Sequence, residues 1–395
     1  MTPAVKPSAP PAISSAMANI HEAISIKFNN RVYELQAQGI DVTVLSLGEA
    51  FFDLPAVDVS TVPFPQSFHY SHSRGIVELR EKIAEYYARK YRFSVDPRSE
   101  MLVTAGSKAA IYMAFAVALA PGDEVLIPEP AWVSYSEQVK LCGGVPVGIP
   151  LGIPISEYDR FVSAKTRVLV VNTPHNPTGY RYSDAEGEAL VGFAMANGLW
   201  LFSDEAYSDF TPGGYFRSLG SFDSAHENVI VFNSVSKNYG ISGWRIGYAM
   251  GRADFIDALL KVNQHLITCP ATILQYYISR NFDGILDVTL PQIAALIEKR
   301  AIVARYMSEI GLSAIDGDST FYFFVSIAPS SLPSDEFCIR LLDDHHIAAV
   351  PGIGYGASCD SYIRISIGTE SMDRIAHGLR AIKSLVNSTA SAAVG

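Results

Sequence analysis

Several features are scarce in this chain. Of its 395 residues only four are cysteine (Cys142, Cys269, Cys338 and Cys359), and they lie far apart with no CxxC pair. That spacing argues against a disulfide framework or a cysteine-built metal centre, and no metal site is expected; reduced thiols in the cytoplasm are. Long apolar runs are also missing. The longest, from Ala109 to Ala120, stops at Pro121-Gly122, too short for the ~20 residues that span a bilayer, so it reads as a core helix. Positive charge is in deficit, with 30 Lys and Arg against 40 Asp and Glu and a net charge of −10. This argues against nucleic acid or an anionic membrane as a partner. Charged residues make up only 18% and hydrophobic ones 49%, which excludes a disordered acidic chain. Residues 1–18 are rich in Pro, Ala and Ser without a basic, apolar leader pattern, and read as a mobile extension. Residues 388–395 read as a flexible tail.

What remains is patterned. The length exceeds one ordinary core, so two domains are expected: a large one over 49–289, and a smaller α+β one built from 19–48 and 290–387. Ile24–Gln38 reads as a helix stopping near Gly39, and Val42–Leu47 as a short strand. Ile76, Leu79, Ile83, Tyr86 and Tyr87 recur at helical spacing. From Met101 onward strand and helix alternate, with strands expected at 101–104, 124–127, 145–149, 167–172, 199–203, 229–233 and 245–250. Continuous apolar strands between helices predict an α/β fold, with a mostly parallel sheet covered on both faces. A long helix over 288–310 then leaves this domain. Further strands are expected near 321–327, 348–350 and 362–367.

One stretch carries most of the chemical information: Ser234-Val235-Ser236-Lys237-Asn238-Tyr239-Gly240-Ile241-Ser242-Gly243-Trp244-Arg245-Ile246-Gly247. A lysine among small and apolar residues can lose part of its charge and act as a nucleophilic amine. An arginine fork and a serine hydroxyl nearby can hold a phosphate dianion. Three more segments end or interrupt apolar strands with polar groups: Asn172-Thr173-Pro174-His175-Asn176-Pro177, Ser203-Asp204-Glu205-Ala206-Tyr207, and Ile363-Arg364-Ile365. Asn176, Asp204 and Lys237 all follow the C-terminal ends of expected strands, where open α/β sheets bind ligands.

From about Ile24 to about Leu385 these segments resemble the fold-type-I pyridoxal 5′-phosphate (PLP) enzymes, specifically the class I and II aminotransferases near the bacterial aspartate aminotransferase branch. The resemblance implies a Schiff base between PLP and Lys237, which also serves as acid and base at the substrate. Asp204 would pair with the ring nitrogen, and Tyr207 and Asn176 with the ring's phenolic oxygen. Trp132 would stack on the ring. The loop Gly106-Ser107-Lys108 opening a helix, with Ser234 and Arg245, would hold the phosphate. Tyr70 would be lent to the phosphate of a second subunit, so a homodimer with shared sites is implied. Arg364 and Gly48 would bind the substrate's α-carboxylate.

Amino acids and 2-oxo acids are the implied substrates, exchanged by transamination. The alternative is a PLP lyase or cyclase on the same scaffold, because elimination and ring closure start from the same carbanion. Lys108 has two readings, a partner for a distal carboxylate of aspartate or glutamate, or a neutraliser of the phosphate. Phe51, Phe52, His72 and Arg74 stand where relatives carry other residues beside the side-chain pocket. Arg74 would bind a second acid or point to solvent.

Overall fold

The computed structural model describes residues 13–390; residues 1–12 of the expected extension and 391–395 of the expected tail lie outside the described residues. Ser15–Asn19, overlapping the end of the expected extension, form a 3-10 turn. The strands are β1 (Thr43–Val44), β2 (Met101–Thr104), β3 (Glu124–Pro128), β4 (Val145–Ile149), β5 (Thr166–Asn172) and β6 (Trp200–Asp204), then β7 (Val229–Ser234), β8 (Gly247–Met250), β9 (Tyr322–Ser326), β10 (Ile347–Ala348), β11 (Val350–Pro351) and β12 (Tyr362–Ser366). The helices are α1 (Ile24–Ala37), α2 (Val77–Tyr91), α3 (Ser107–Ala118), α4 (Ser134–Leu141) and α5 (Asp184–Ala196), then α6 (Val235–Asn238), α7 (Ala253–Leu266), α8 (Thr272–Glu309), α9 (Ser334–His345) and α10 (Met372–Ser388).

Seven strands form the central sheet in the order β2-β8-β7-β6-β5-β3-β4. The five from β4 to β7 run parallel, and β8 runs antiparallel to both β7 and β2. Successive side chains of a strand face opposite ways, and here both faces are apolar. Leu169, Val171, Leu201, Val229 and Val231 join one core with α2 and the first half of α8. Their neighbours Val168, Val170, Phe202, Ile230 and Phe232 join a second core with α3 and α7. This double burial is why the strands read as unbroken hydrophobic runs.

A smaller antiparallel sheet, β11-β12-β9, and the parallel pair β1-β10 make a second layer. Phe321, Phe323, Val325, Ile363 and Ile365 pack there against α10 and against Ile293, Leu296 and Ile297 of α8.

Two expectations need correction. The long helix does not start at 288. It runs 38 residues from Thr272 and passes through Pro291, so the boundary expected at 289/290 falls inside it. A proline forfeits one helical hydrogen bond, but Phe282, Ile285 and Leu286 before it and Ile293, Leu296 and Ile297 after it are anchored in two different cores. Packing on both sides outweighs the break. The strand expected at 245–250 starts only at Gly247. Arg245 closes a 3-10 turn with a left-handed φ of 54°, which points its side chain elsewhere than a strand residue's would.

Candidate active site

Strand register delivers the polar residues to one edge. Asn172 ends β5 opposite Asp204 at the end of β6. Ser234 ends β7 opposite Gly247, which in turn lies opposite Thr104 at the end of β2. These neighbours surround a cavity of about 570 Å³, lined by Lys237, Asp204, Asn176, Tyr207, Trp132, Ser234, Arg245, Ser107, Lys108 and Gly48 among others. That volume suits a small cofactor with a substrate, since such sites run roughly 300–1,000 Å³.

At one end the groups suit an anion. The first turn of α3, with its unpaired N–H groups, opens there at Ser107. Gly106 has φ 87° and a side chain on it would collide with the Arg245 guanidinium. Likewise, a side chain on Gly247 would strike the Ser107 amide. Only glycine at both places lets the helix end, β8 and the arginine converge. Arg245 donates to the Ser242 carbonyl at 2.7 Å and to Ser236 Oγ at 3.4 Å. Buried Ser234 caps α6, its Oγ accepting from Ser236 N at 3.3 Å. Lys108 holds its ammonium 5.0 Å from the Trp132 ring centroid. Burial, and next the charge of Arg245, lowers its pKa.

At the other end sit groups suited to a heteroaromatic ring. Asp204 is buried, and burial raises its carboxyl to about 6 even though Tyr135 donates to it at 2.8 Å and the Ala206 amide at 3.2 Å. A buried acid of this kind gains from a cationic partner. The loop carrying Asn176 is tied to the same strand end. Asn172 accepts from Asn176 N at 2.6 Å and donates to the Asp204 carbonyl at 2.7 Å. Asn176 Oδ1 is buried with no hydrogen-bond partner.

Lys237 reaches across to the second layer, donating to the Gly48 carbonyl at 2.6 Å, with its Nζ 5.6 Å from the Tyr207 ring centroid. Burial pulls its pKa down to about 8, opposed chiefly by Glu49. A substantial neutral fraction therefore exists near neutrality, as a nucleophile or base requires. Arg364 stands in the middle of β12, buried, donating to the Ser46 carbonyl, with its guanidinium carbon 4.7 Å from the Tyr322 ring centroid. Its Nε has no partner. Backbone carbonyls hold Lys237, Arg245 and Arg364, and carbonyls do not neutralise charge. The cavity is left ready for anions.

The predicted residues are not all brought together. Gly106 and Arg364 stand just behind the lining, against Arg245 and Gly48. Tyr70 is 84% exposed and faces a separate hollow with Phe68 and Thr272. Phe51 is exposed, while Phe52 stacks on Phe210 at 6.3 Å. Neither Arg74 expectation holds. Its guanidinium is buried, paired with Asp257 and bonded to the Ser99 carbonyl at 3.0 Å, and His72 Nδ1 accepts from its backbone amide at 3.1 Å.

Five residues escaped the sequence reading of the site: Tyr135, Asn172, Ser236, Glu49 and Tyr322. Tyr135 had a signal, lying one helical turn beyond Trp132. Tyr322 had none, because it sits in an apolar run and its partner, Tyr207, is 115 residues away.

The cavity thus presents an acid for a ring nitrogen, a partly neutral lysine and an anion seat, which fits PLP. Comparison with known proteins agrees. A family profile described as aminotransferase class I and II matches residues 43–382. The chain is 31% identical to aromatic-amino-acid aminotransferase 2 of Thermococcus litoralis over 91% of this chain and 97% of that protein. It is 32% identical to aspartate aminotransferase of Bacillus subtilis over 95% of this chain and 98% of that protein. Its structure overlays aspartate aminotransferase from Thermus thermophilus with maleate at a TM-score of 0.87 and 29% identity, covering 95% of this chain and all of that one.

Proposed function

From the premise that this chain belongs to the class I and II aminotransferases, we propose that its amino donor is an acidic amino acid, aspartate or glutamate. Family membership makes it a PLP-dependent enzyme that moves an amino group between an amino acid and a 2-oxo acid. The similarities give the lyase or cyclase alternative no support. PLP supplies an electron sink for the pair left on the substrate's Cα. The protein's own residues do the rest.

In this reading Ser107, Ser234, Arg245 and the α3 terminus would hold the phosphate, with Gly106 giving the room. Asp204, kept in place by Tyr135, would pair with the ring nitrogen. Asn176 and Tyr207 would bond the ring oxygen, and Trp132 would stack on the ring. Arg364 and the Gly48 backbone would bind and orient the substrate's α-carboxylate. Lys237, buried and partly neutral, would serve as the base for the Cα proton and would hold it for return as an acid. The observation that carries the assignment is the convergence of buried Lys237, buried Asp204 and Arg245 at the α3 terminus on one cavity.

Lys108 carries the substrate proposal. Its ammonium lies inside the cavity, is depressed by burial and by Arg245, and rests on an aromatic face rather than a carboxylate. A distal carboxylate would relieve both costs. The named relatives that act on aspartate support this choice, and the relative that acts on aromatic amino acids marks the rival. Mixing holoenzyme with a panel of amino acids and following the visible absorbance of the cofactor separates the two: aspartate and glutamate should convert it fastest. Lys108→Met should raise KM for aspartate about 10–100-fold, the value of a charge-assisted hydrogen bond, and leave KM for phenylalanine within about twofold. Equal losses for both amino acids would remove Lys108 from substrate recognition.

The proposal includes a cytoplasmic homodimer. Phe64, Phe68, Tyr70 and Leu266 are large side chains exposed on one protomer, and Tyr70 has no role in its own cavity. All four cysteines are free thiols, which suits a reducing compartment.

A further inference from the structure

Tyr322 is buried at the border of the site, and its hydroxyl oxygen lies 2.9 Å from that of Tyr207. The Arg364 guanidinium carbon is 4.7 Å from its ring centroid. A side-chain carbon on Gly48 would come within 3.2 Å of the same hydroxyl. A phenol has one proton to give and lone pairs to receive with. Between two phenols in contact only one proton lies on the line joining them, so the other is free to point elsewhere.

Which phenol donates follows from the charges around them. Arg364 sits against Tyr322 and favours loss of its proton, second only to the opposing effect of burial. Arg364 also favours loss of the Tyr207 proton, but it is the Tyr322 ring on which it stacks. Asp204 acts to keep the proton on Tyr207, as Glu49 does, more weakly than Arg364 opposes it, on Tyr322. Tyr322 is therefore the stronger donor. With Tyr207 accepting, its own proton would have to turn away from Tyr322, and its side chain lines the cavity.

We propose that Tyr322 is a positioning residue, whose hydroxyl donates to Tyr207 and thereby commits the Tyr207 proton to the ring oxygen of the cofactor. The inference rests on the reading that Tyr207 faces that oxygen. It gives a role to a hydroxyl that packing alone does not require, since phenylalanine would fill the same space against Phe321 and Tyr207.

The consequence is visible in a titration. A firm donor to the ring oxygen spreads its negative charge and weakens its hold on the proton carried by the Lys237 nitrogen. Glu49, Asp204, Arg245 and Arg364 also act on that nitrogen, and all four stay in place in the variant. Tyr322→Phe holoenzyme should change its visible absorbance form at a pH about 0.5 higher than the wild type, the size expected from weakening one hydrogen bond. In a Tyr207→Phe background the same substitution should move the midpoint by nothing further, because the group through which it acts is gone. An unmoved midpoint in Tyr322→Phe, or an equal shift in both backgrounds, overturns the proposal. If Tyr207→Phe alone leaves the midpoint in place, the fault lies instead with the placement of Tyr207 at the ring. Thermal melts of the cofactor-free forms identify any variant in which altered folding, rather than hydroxyl loss, moves the titration.

Discussion

Glu205 shows how much one position along a chain can change. Asp204 lines the cavity, whereas Glu205 is fully buried beside it, its Oε1 accepting from Ser203 Oγ, Ser218 Oγ and Leu219 N, each at 2.9 Å. Its other oxygen has no partner. Burial raises its carboxyl to about 8. Between roughly pH 4.5, where it ionises in the unfolded chain, and pH 8 the folded protein binds the extra proton. Stability must therefore fall as pH rises through that window. Glu205→Gln keeps an acceptor for the three donors and cannot titrate. Relative to wild type, its melting temperature should gain about 2–4 °C between pH 5 and pH 8 and gain nothing beyond. A difference that stays flat across that range would mean Glu205 is ionised in the fold. Single residues were legible in the sequence where a motif fixed them. Lys237, Asp204 and Asn176 each end or follow an apolar strand, Arg245 stands just ahead of one, and the structure gathers them around one space. Tyr135 and Tyr322 act through partners 69 and 115 residues away, and nothing local marks such pairs.

At the scale of elements, the seat proposed for the phosphate is assembled from a helix end, a strand start and a turn. Its tolerance is set by glycines. Gly106 combines a positive φ with an arginine against its missing side chain. Alanine there meets backbone strain of about 1–2 kcal/mol as well as displacement of Arg245. Gly106→Ala should weaken PLP binding at least about tenfold, read by titrating cofactor-free enzyme, while Gly122→Ala, with positive φ but open space around it, should leave affinity unchanged. Loss in both would mean strain anywhere unsettles the fold and would clear the seat of a special role. The long strands and their alternation with helices were readable because burial on both faces leaves an unbroken apolar run. The two-residue strands β1, β10 and β11 were not delimited, since so short a pairing has no period to detect. The start of α8 at Thr272 was missed although the expected helix already ran through Pro291; contacts distant in sequence, in two cores, fix how far the helix extends.

For the whole molecule, the site works only if two layers stay in register. Lys237, Asp204 and Asn176 belong to the large sheet, while Gly48, Arg364 and Tyr322 belong to the layer of the smaller one. Some ties between the layers lie in the cavity, such as Lys237 to Gly48, and removing them would confuse chemistry with cohesion. Glu129 does not. From the end of β3 its carboxylate accepts from Ala357 N at 3.1 Å, Ser358 N at 2.9 Å and Ser358 Oγ at 2.6 Å, and nearby Ala131 N donates to the Tyr355 carbonyl at 2.7 Å. Gly356 makes the approach workable, for any side chain on it would overlap that carboxylate. The groups proposed to hold phosphate and ring all stand on the large-sheet side of this tie, whereas Arg364, proposed to bind the substrate carboxylate, stands on the other. Loosening it should therefore separate the two binding events. Glu129→Ala should raise KM for the amino donor about 3–10-fold, a fraction of the three charge-assisted bonds lost, and leave the affinity for PLP within about twofold. Glu129→Gln, which turns one acceptor oxygen into a donor, should fall between. Equal loss of cofactor and substrate affinity would show that Glu129 serves the fold at large rather than the alignment of the layers, and steady-state kinetics with a PLP titration on the same preparations decides between them.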